Sequence, residues 1–348
     1  MPAKPDANDG SVWQDREIRF DVPLSQLACR KGEFEIDCMS SVEDTKGNNG
    51  ERGEIAITNL RMIWFQHRQR KTNLSIGYSS IVSLNIKHAD SRLRGQTQAL
   101  YVLTKFNGSR FEFIFTNLVR NSPRLFTTVQ AVFRSYETTK LYRDLKLRGA
   151  IVKDGVLNLL PNEQVYNKIV GVSNLSSDQG NLGTFYLTNV RMVWHAKLAE
   201  NFNVSIPYMQ MKVIRMRDSK FGKALVIETV ARSGGYILGF RIDPIGKLQD
   251  IFQEIKSLHE LYSSNPVFGV EFVMEEKAKS LEELTVARKE DDIEIVGEGD
   301  HAGDAFAAYI AAGSNTAADR PPVFNPQLGL AIESLRDGFT LDNLWSAL

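Results

Sequence analysis

The sequence has few of the features that mark secreted, membrane-spanning or zinc-binding proteins. Only two cysteines occur in 348 residues, Cys29 and Cys38, which is too few for a disulfide framework or a four-cysteine zinc site. No run approaches the roughly 20 apolar residues that cross a bilayer. The polar start, residues 1–10, lacks the apolar core of a signal peptide. We therefore expect a soluble protein of the reducing cytosol that needs no metal or cofactor.

The chain also lacks a net charge, because Lys+Arg and Asp+Glu both total 42. A neutral total gives no overall field that would attract nucleic acid, so we expect no nucleic-acid partner. The balance hides an asymmetry, however. Residues 1–264 hold 36 basic and 26 acidic side chains, whereas residues 265–348 hold 6 and 16. This pattern indicates a basic folded part followed by an acidic tail.

Catalytic motifs are missing as well. The five histidines are scattered, and the sequence contains no Gly-x-Ser-x-Gly elbow, phosphate loop or dinucleotide fingerprint. The glycine-rich run Gly47-Asn-Asn-Gly-Glu-Arg-Gly53 lacks the Gly-Lys-Ser/Thr ending that cradles phosphates. We therefore expect no enzyme activity.

An internal repeat organises the sequence. Thr58-Asn-Leu-Arg-Met-Ile-Trp64 returns as Thr188-Asn-Val-Arg-Met-Val-Trp194, 130 positions later, and Asn73-Leu-Ser-Ile-Gly-Tyr78 returns as Asn203-Val-Ser-Ile-Pro-Tyr208 at the same offset. Two copies of one domain explain this order. The predicted domains are 1–148, including an N-terminal extension, and 149–264, followed by an acidic linker and docking segment at 265–348.

Each copy has the pattern of several strands followed by one helix. In the first copy, seven short runs rich in β-branched and aromatic residues are separated by turn residues such as Asn107-Gly108. Apolar residues then change to helical spacing, as in Leu125, Val129, Val132, Phe133 and Tyr136. The second copy repeats this at Leu248, Ile251, Phe252, Ile255 and Leu258. We predict a mainly β protein with two tandem pleckstrin-homology (PH)-like domains, each a curled seven-stranded sheet capped by one C-terminal helix.

Longer blocks of sequence resemble one family of tandem PH/GRAM-like proteins. Glu43-Asp-Thr-Lys-Gly-Asn-Asn-Gly50, Phe202-Asn-Val-Ser-Ile-Pro-Tyr208 and Leu328-Gly-Leu-Ala-Ile-Glu333 are similar to the Bardet–Biedl syndrome 5 family. The resemblance implies a subunit of the BBSome, a coat-like assembly that carries membrane proteins into and out of cilia. It also implies phosphoinositide binding, including phosphatidylinositol 3-phosphate, and contact through the complex with an Arf-like small GTPase and ciliary cargo. The implied locations are the cytoplasm, cilium, ciliary membrane and basal body.

Two arginines occupy equivalent places in the repeat, Arg61 and Arg191. They could hold lipid phosphates, but their presence beside the same turn in both copies favours a structural ion pair or backbone contact. Trp64 and Trp194 are likewise expected in the two cores rather than at a membrane.

Lipid binding is expected mainly in the first copy. The headgroup pocket of PH-type folds usually lies among the loops after strands 1, 3 and 6, and a polyanion needs several converging donors. In the first copy these loops supply six basic residues: Lys46, Arg52, Arg68, Arg70, Lys71 and Arg110. The second copy offers only Lys197 and Arg232, against Asp178 and Glu200. The alternative is that residues 68–71 form an ordinary solvated turn.

A second basic cluster is predicted at the opposite hairpin of each copy. Its members are Lys87, Arg92 and Arg94 in the first copy, and Arg215, Arg217, Lys220 and Lys223 in the second. This cluster could face either a membrane or the acidic surface of a partner subunit.

The last twenty residues differ from the acidic linker before them. Apolar residues with helical spacing form a candidate docking segment: Ile332, Leu335, Phe339, Leu341, Leu344 and Trp345. The segment could dock onto a partner or pack back onto its own domains.

Two functional classes remain. One is a non-enzymatic adaptor that links an intracellular complex to phosphoinositide membranes. The other is a scaffold subunit whose PH folds bind only protein, with occluded lipid pockets.

Overall fold

The computed structural model describes residues 15–48, 50–175 and 181–272, together with the backbone of three short strands nearer the C-terminus. The first domain contains two helices, α1 (Leu24–Leu27) and α2 (Arg124–Thr138). Its strands are β1 (Ile18–Phe20), β2 (Glu35–Asp44), β3 (Glu51–Thr58), β4 (Arg61–Gln66), β5 (Asn73–Gly77), β6 (Ile81–Ser91), β7 (Gly95–Phe106) and β8 (Ser109–Asn117).

The second domain repeats this plan and ends in the long helix α3 (Ile245–Ser264). Its strands are β9 (Lys146–Leu147), β10 (Val152–Lys153), β11 (Val156–Leu157), β12 (Val165–Asn174), β13 (Asn181–Thr188), β14 (Arg191–Ala196), β15 (Asn203–Pro207), β16 (Met211–Ser219), β17 (Gly222–Thr229) and β18 (Ile237–Ile242). Three short strands follow: β19 (Val286–Ala287), β20 (Pro322–Asn325) and β21 (Leu330–Glu333).

Both sheets are antiparallel and share one strand order. The first runs β1-β5-β4-β3-β2-β8-β7-β6-β19 and the second β16-β17-β18-β12-β13-β14-β15-β9. The predicted fold class, two tandem PH-like domains with seven core strands and a capping helix each, is confirmed. The added edge strands β1 and β9 escaped sequence analysis because two or three residues are too few to show a period. None of the described helices is long and apolar enough to cross a membrane.

The two tryptophans of the repeat occupy the same position in the two cores. Trp64 and Trp194 are each 1% exposed, and their indole nitrogens donate to the carbonyl oxygens of Val42 and Val172 at 3.0 and 3.1 Å. A Cβ on Gly53 would lie 2.4 Å from the Trp64 ring. Gly53 therefore allows the indole to pack closely against the backbone of the hairpin. The predicted core position of both tryptophans is confirmed.

The paired arginines are structural, as predicted. Arg61 Nε donates to Glu33 at 2.7 Å, and Arg191 Nε donates to Glu163 at 2.8 Å, with all four side chains at most 1% exposed. Each guanidinium also donates to a serine hydroxyl on the neighbouring strand and to at least one backbone carbonyl oxygen. Because these donors are used inside the fold, neither arginine can reach a lipid phosphate.

The linker predicted from residue 265 starts later in the structure, because the chain leaves the second domain and returns to the first. Phe268 and Val270 are 2% and 4% exposed and belong to the core of the first domain. The carbonyl oxygen of Phe268 accepts a hydrogen bond from Arg143 at 3.0 Å, and the Glu271 amide donates to Ser135 Oγ of α2 at 2.9 Å. We call residues 265–272 the return segment.

Part of the predicted docking segment forms a strand rather than a helix. Ile332 lies in β21 and pairs with Val323 of β20 in an antiparallel hairpin. Pro322 begins the first strand, Pro321 and Pro326 flank it in the sequence, and proline disfavours the helical conformation in the residue before it. Leu335, Phe339, Leu341, Leu344 and Trp345 lie outside the described residues.

A basic pocket in the first domain as the candidate functional site

The turns at one end of the first sheet surround a cavity of about 620 Å³. We call it the basic pocket, because four arginines line it and only one acidic residue does. Its lining residues are Glu51, Arg52, Gln66, His67, Arg68, Leu93, Arg94, Leu118 and Arg120. They come from the start of β3, the β4–β5 turn, the β6–β7 turn and the loop after β8.

Two buried carboxylates shape this end of the domain. Glu43 is fully buried and accepts hydrogen bonds from the Ser91 hydroxyl and, at 3.0 Å, from the Arg92 amide. Asp44 accepts from the Gly47 amide at 2.9 Å and from Asn48 Nδ2 at 2.7 Å. Burial raises the pKa of Asp44, against these hydrogen bonds. Both side chains hold turns in place.

The arginines of the basic pocket differ in how firmly they are held. Arg94 Nη1 donates to the carbonyl oxygen of Asn117 at 2.6 Å, and Arg52 Nη2 donates to Ser41 Oγ at 2.5 Å. Arg68 and Arg120 make no ion pair within the described part of the chain. The held arginines and the two without an ion pair can together surround a multiply charged anion, because one guanidinium group can form two hydrogen bonds to the oxygens of one phosphate.

The structure separates the six basic residues predicted for lipid binding. Arg52 and Arg68 line the basic pocket. Lys46 instead pairs with Glu112 at 2.7 Å. Arg70 lies 4.6 Å from the centre of the Phe65 ring and hydrogen-bonds to Glu54. Lys71 and Arg110 are exposed on the surface outside the lining residues.

In the first domain, part of the second predicted basic cluster lies beside residues of the first predicted group. Arg94 lines the basic pocket, and Arg92 belongs to the same β6–β7 turn, where its amide donates to Glu43 of β2 at 3.0 Å. Lys87 lies apart from them, 5.6 Å from the centre of the Tyr101 ring. Arg94 of the second predicted cluster therefore joins Arg52 and Arg68 of the first in one pocket.

Arg120, which shares the loop after β8 with Leu118, was not among the residues predicted for lipid binding. A signal was available in the sequence, since Arg120 lies in the short loop between β8 and α2. The prediction considered only the loops after strands 1, 3 and 6, and Arg120 lies in none of them.

The second domain lacks these cations at the corresponding positions. With the 130-residue offset, Leu182 replaces Arg52 and Leu198 replaces Arg68, and Leu198 is 97% exposed. Arg232 lies at the domain junction, where its Nη2 is 3.8 Å from Glu17. Glu200 accepts hydrogen bonds from the amides of Asp154 and Gly155, and Asp178 lies outside the described residues.

The basic residues predicted in the second copy of the cluster lie on β16, β17 and the turn between them. Arg215 pairs with Glu228, and Lys220 lies 5.1 Å from the centre of the Phe221 ring. Arg217 and Lys223 are exposed.

Two tandem PH-like domains, with a basic pocket in the first, place the chain in the class of tandem PH-domain proteins. Family models for the Bardet-Biedl syndrome 5 protein match both copies: the N-terminal PH-like domain at residues 33–138 and the second PH-like domain at residues 146–272. The chain belongs to this family.

Similar proteins support the assignment over nearly the full length. "BBSome complex member BBS5" of Danio rerio is 61% identical, covering 97% of this chain and 98% of that protein. The Homo sapiens protein of the same name is 58% identical with the same coverage. "BBSome complex member bbs-5" of Caenorhabditis elegans is 45% identical, again over 97% and 98%.

Proposed function

We propose that this protein is a non-enzymatic adaptor subunit of the BBSome that binds phosphoinositide membranes through the basic pocket of its first domain. Similarity to named BBSome members over 97% of the chain supports the assembly. It also supports a location at the cilium, its membrane and the basal body, and a role in ciliary trafficking. An Arf-like small GTPase and ciliary cargo would meet the protein through the complex.

The proposed membrane binding rests on one observation: four arginines, from three turns and the start of a strand, surround one cavity. A phosphoinositide headgroup is a compact polyanion, and each Lys or Arg near an anionic surface contributes about 1 kcal/mol. Glu51 is the single opposing carboxylate among the lining residues. The leucines at the matching positions of the second domain favour the first domain as the lipid site.

The test is vesicle sedimentation of the full chain with Arg68→Ala and Arg120→Ala combined. The vesicles contain phosphatidylcholine and phosphatidylserine, with or without phosphatidylinositol 3-phosphate. Losing two cations from the pocket should weaken phosphoinositide-dependent binding at least tenfold. Replacing Arg110 and Lys71 by alanine removes the same charge outside the pocket and should change binding little. Equal effects from the two pairs would refute the pocket assignment.

A further inference from the structure

The capping helices of the two domains are covered to different extents. The 15-residue helix α2 buries eight side chains, whereas the 20-residue helix α3 buries only Leu248, Ile251 and Ile255. Phe252, Leu258 and Tyr262 pack against the second core but remain partly exposed. Part of the difference comes from the return segment, which lies on the first domain and adds Phe268 and Val270 to the core that α2 covers.

The edge strands next to these helices show the same contrast. In the first domain the outer edge of β6 is paired with β19, with Val286 opposite Leu84 and Ala287 opposite Ser83. In the second domain β16 pairs with β17, but no strand covers its outer edge in the part of the chain that the structure describes. Ile214 and Met216, which match Leu84 and Ile86, are only half-buried.

Helix α3 lies directly beside this open edge, because His259 Nε2 is 3.1 Å from the carbonyl oxygen of Met211. Both elements carry partly buried apolar side chains that pack against the second core, Ile214 and Met216 on β16 and Phe252 on α3. The strand is also basic. Lys212 and Arg217 are exposed along it, with Lys223 just beyond the turn.

We propose that β16 binds an extended, acidic segment of a partner subunit, which adds to the sheet as an antiparallel strand. The proposal rests on the proposed role within an assembly and names the surface used. An open edge strand offers unpaired N–H and C=O groups that another strand satisfies, and such strand addition is a recurring mode of peptide recognition. The first domain already holds an extended segment of its own chain at the equivalent edge.

The side chains exposed along β16 indicate which residues the partner segment should carry. Alternate apolar side chains would cover Ile214 and Met216, since residues two apart share one face. A carboxylate on the other side of the segment would face Arg217, and one near its end would face Lys212 at the start of the strand, which complements their charge. A membrane surface could satisfy the lysine and arginine, but it supplies no regular row of backbone partners for the strand.

Hydrogen exchange on the full chain, alone and assembled with the other subunits, tests the proposal. Amides of residues 212–218 should exchange at least tenfold more slowly in the assembly, because an added strand pairs the outward-facing groups. Unchanged exchange of β16 on assembly overturns the proposal. Protection produced instead by phosphatidylserine vesicles without partners assigns the surface to a membrane and also overturns it.

A charge reversal gives the second readout. Lys212→Glu combined with Arg217→Glu should lower incorporation into the assembly at least fivefold and abolish the protection of β16. The matched control, Lys153→Glu with Lys247→Glu, reverses two other exposed lysines of the same domain and should assemble normally. Equal losses from both pairs would refute the proposal. If the full chain fails to bind phosphoinositide vesicles while β16 is still protected in the assembly, only the proposed lipid binding by the basic pocket is refuted.

Discussion

At the scale of single residues, the repeat conserves interior chemistry and varies surface chemistry. The ion pairs Arg61–Glu33 and Arg191–Glu163 have nearly the same geometry in both domains. Arg52 and Arg68, by contrast, have leucines as their counterparts. Sequence analysis could therefore separate structural from surface arginines by asking whether both copies carry them.

The buried pair of the second domain makes a sharp stability prediction. Arg191→Met leaves the Glu163 carboxylate buried without its cation, which should lower the free energy of unfolding by about 3–5 kcal/mol. The double variant Arg191→Met with Glu163→Leu removes both charges and should recover most of the loss. Urea unfolding followed by tryptophan fluorescence measures both. A single variant that loses under 1 kcal/mol would contradict the structural role.

Asp15 gives a prediction about pH. It is buried next to Tyr136, Arg143, Arg16 and Asp144, and burial raises its pKa from 3.8 to about 6, even though Tyr136 donates a hydrogen bond to it. The folded chain thus holds this proton to a higher pH than the unfolded chain does. Stability should therefore fall by about 2–3 kcal/mol from this group as pH rises from about 4 to about 6.

Asp15→Asn keeps a hydrogen-bond acceptor for Tyr136 and removes the titration. The variant should be more stable than the parent at pH 7.5 and about equally stable at pH 4, as measured by urea unfolding at each pH. Asp250→Asn, at an exposed position of α3, is the control and should leave the pH profile unchanged. An unaltered profile for Asp15→Asn would exclude Asp15 as its source.

At the scale of elements, the return segment completes the first domain from the far side of the second. Phe268 and Val270 enter the first core, and Gly269 has φ of +69° with the Tyr142 ring 2.5 Å from where a Cβ would lie. The change of charge near residue 265 had suggested that a linker begins here. The contact between the return segment and the first domain joins parts of the chain that are distant in sequence, so only the folded structure reveals it.

Shortening the chain tests this element. A chain ending at Ser264 loses two buried apolar side chains, each contributing about 1.5–3 kcal/mol, together with the carbonyl oxygen that accepts from Arg143. We expect the first domain to unfold at a lower urea concentration than in a chain ending at Phe272. Hydrogen exchange of α2 would locate the loss. Identical stabilities for the two chains would show that the segment adds nothing to the core.

At the scale of the whole molecule, internal repetition made most of the fold predictable. Fourteen core strands and two helices follow from period, turn residues and the 130-residue offset, because these are local signals repeated twice. The basic pocket was only half predictable. Arg94 and Arg120 reach it from turns that are distant in sequence, and their approach depends on the curl of the sheet and on Glu43 holding the β6–β7 turn.

The last prediction concerns the charge of the whole chain. Residues 1–272 hold 36 basic and 27 acidic side chains, and residues 273–348 hold 6 and 15, which cancels the excess of nine positive charges. A neutral chain gains little from long-range attraction to an anionic membrane, whereas the shortened chain ending at Phe272 is strongly positive. It should therefore bind phosphatidylserine vesicles several-fold more tightly than the full chain at about 20 mM salt.

Because the Debye length falls to about 3 Å at 1 M salt, the difference should disappear there. Stopped-flow association and sedimentation across a salt series measure the effect. A difference that persists at 1 M salt would instead indicate direct masking of the binding surface by the tail.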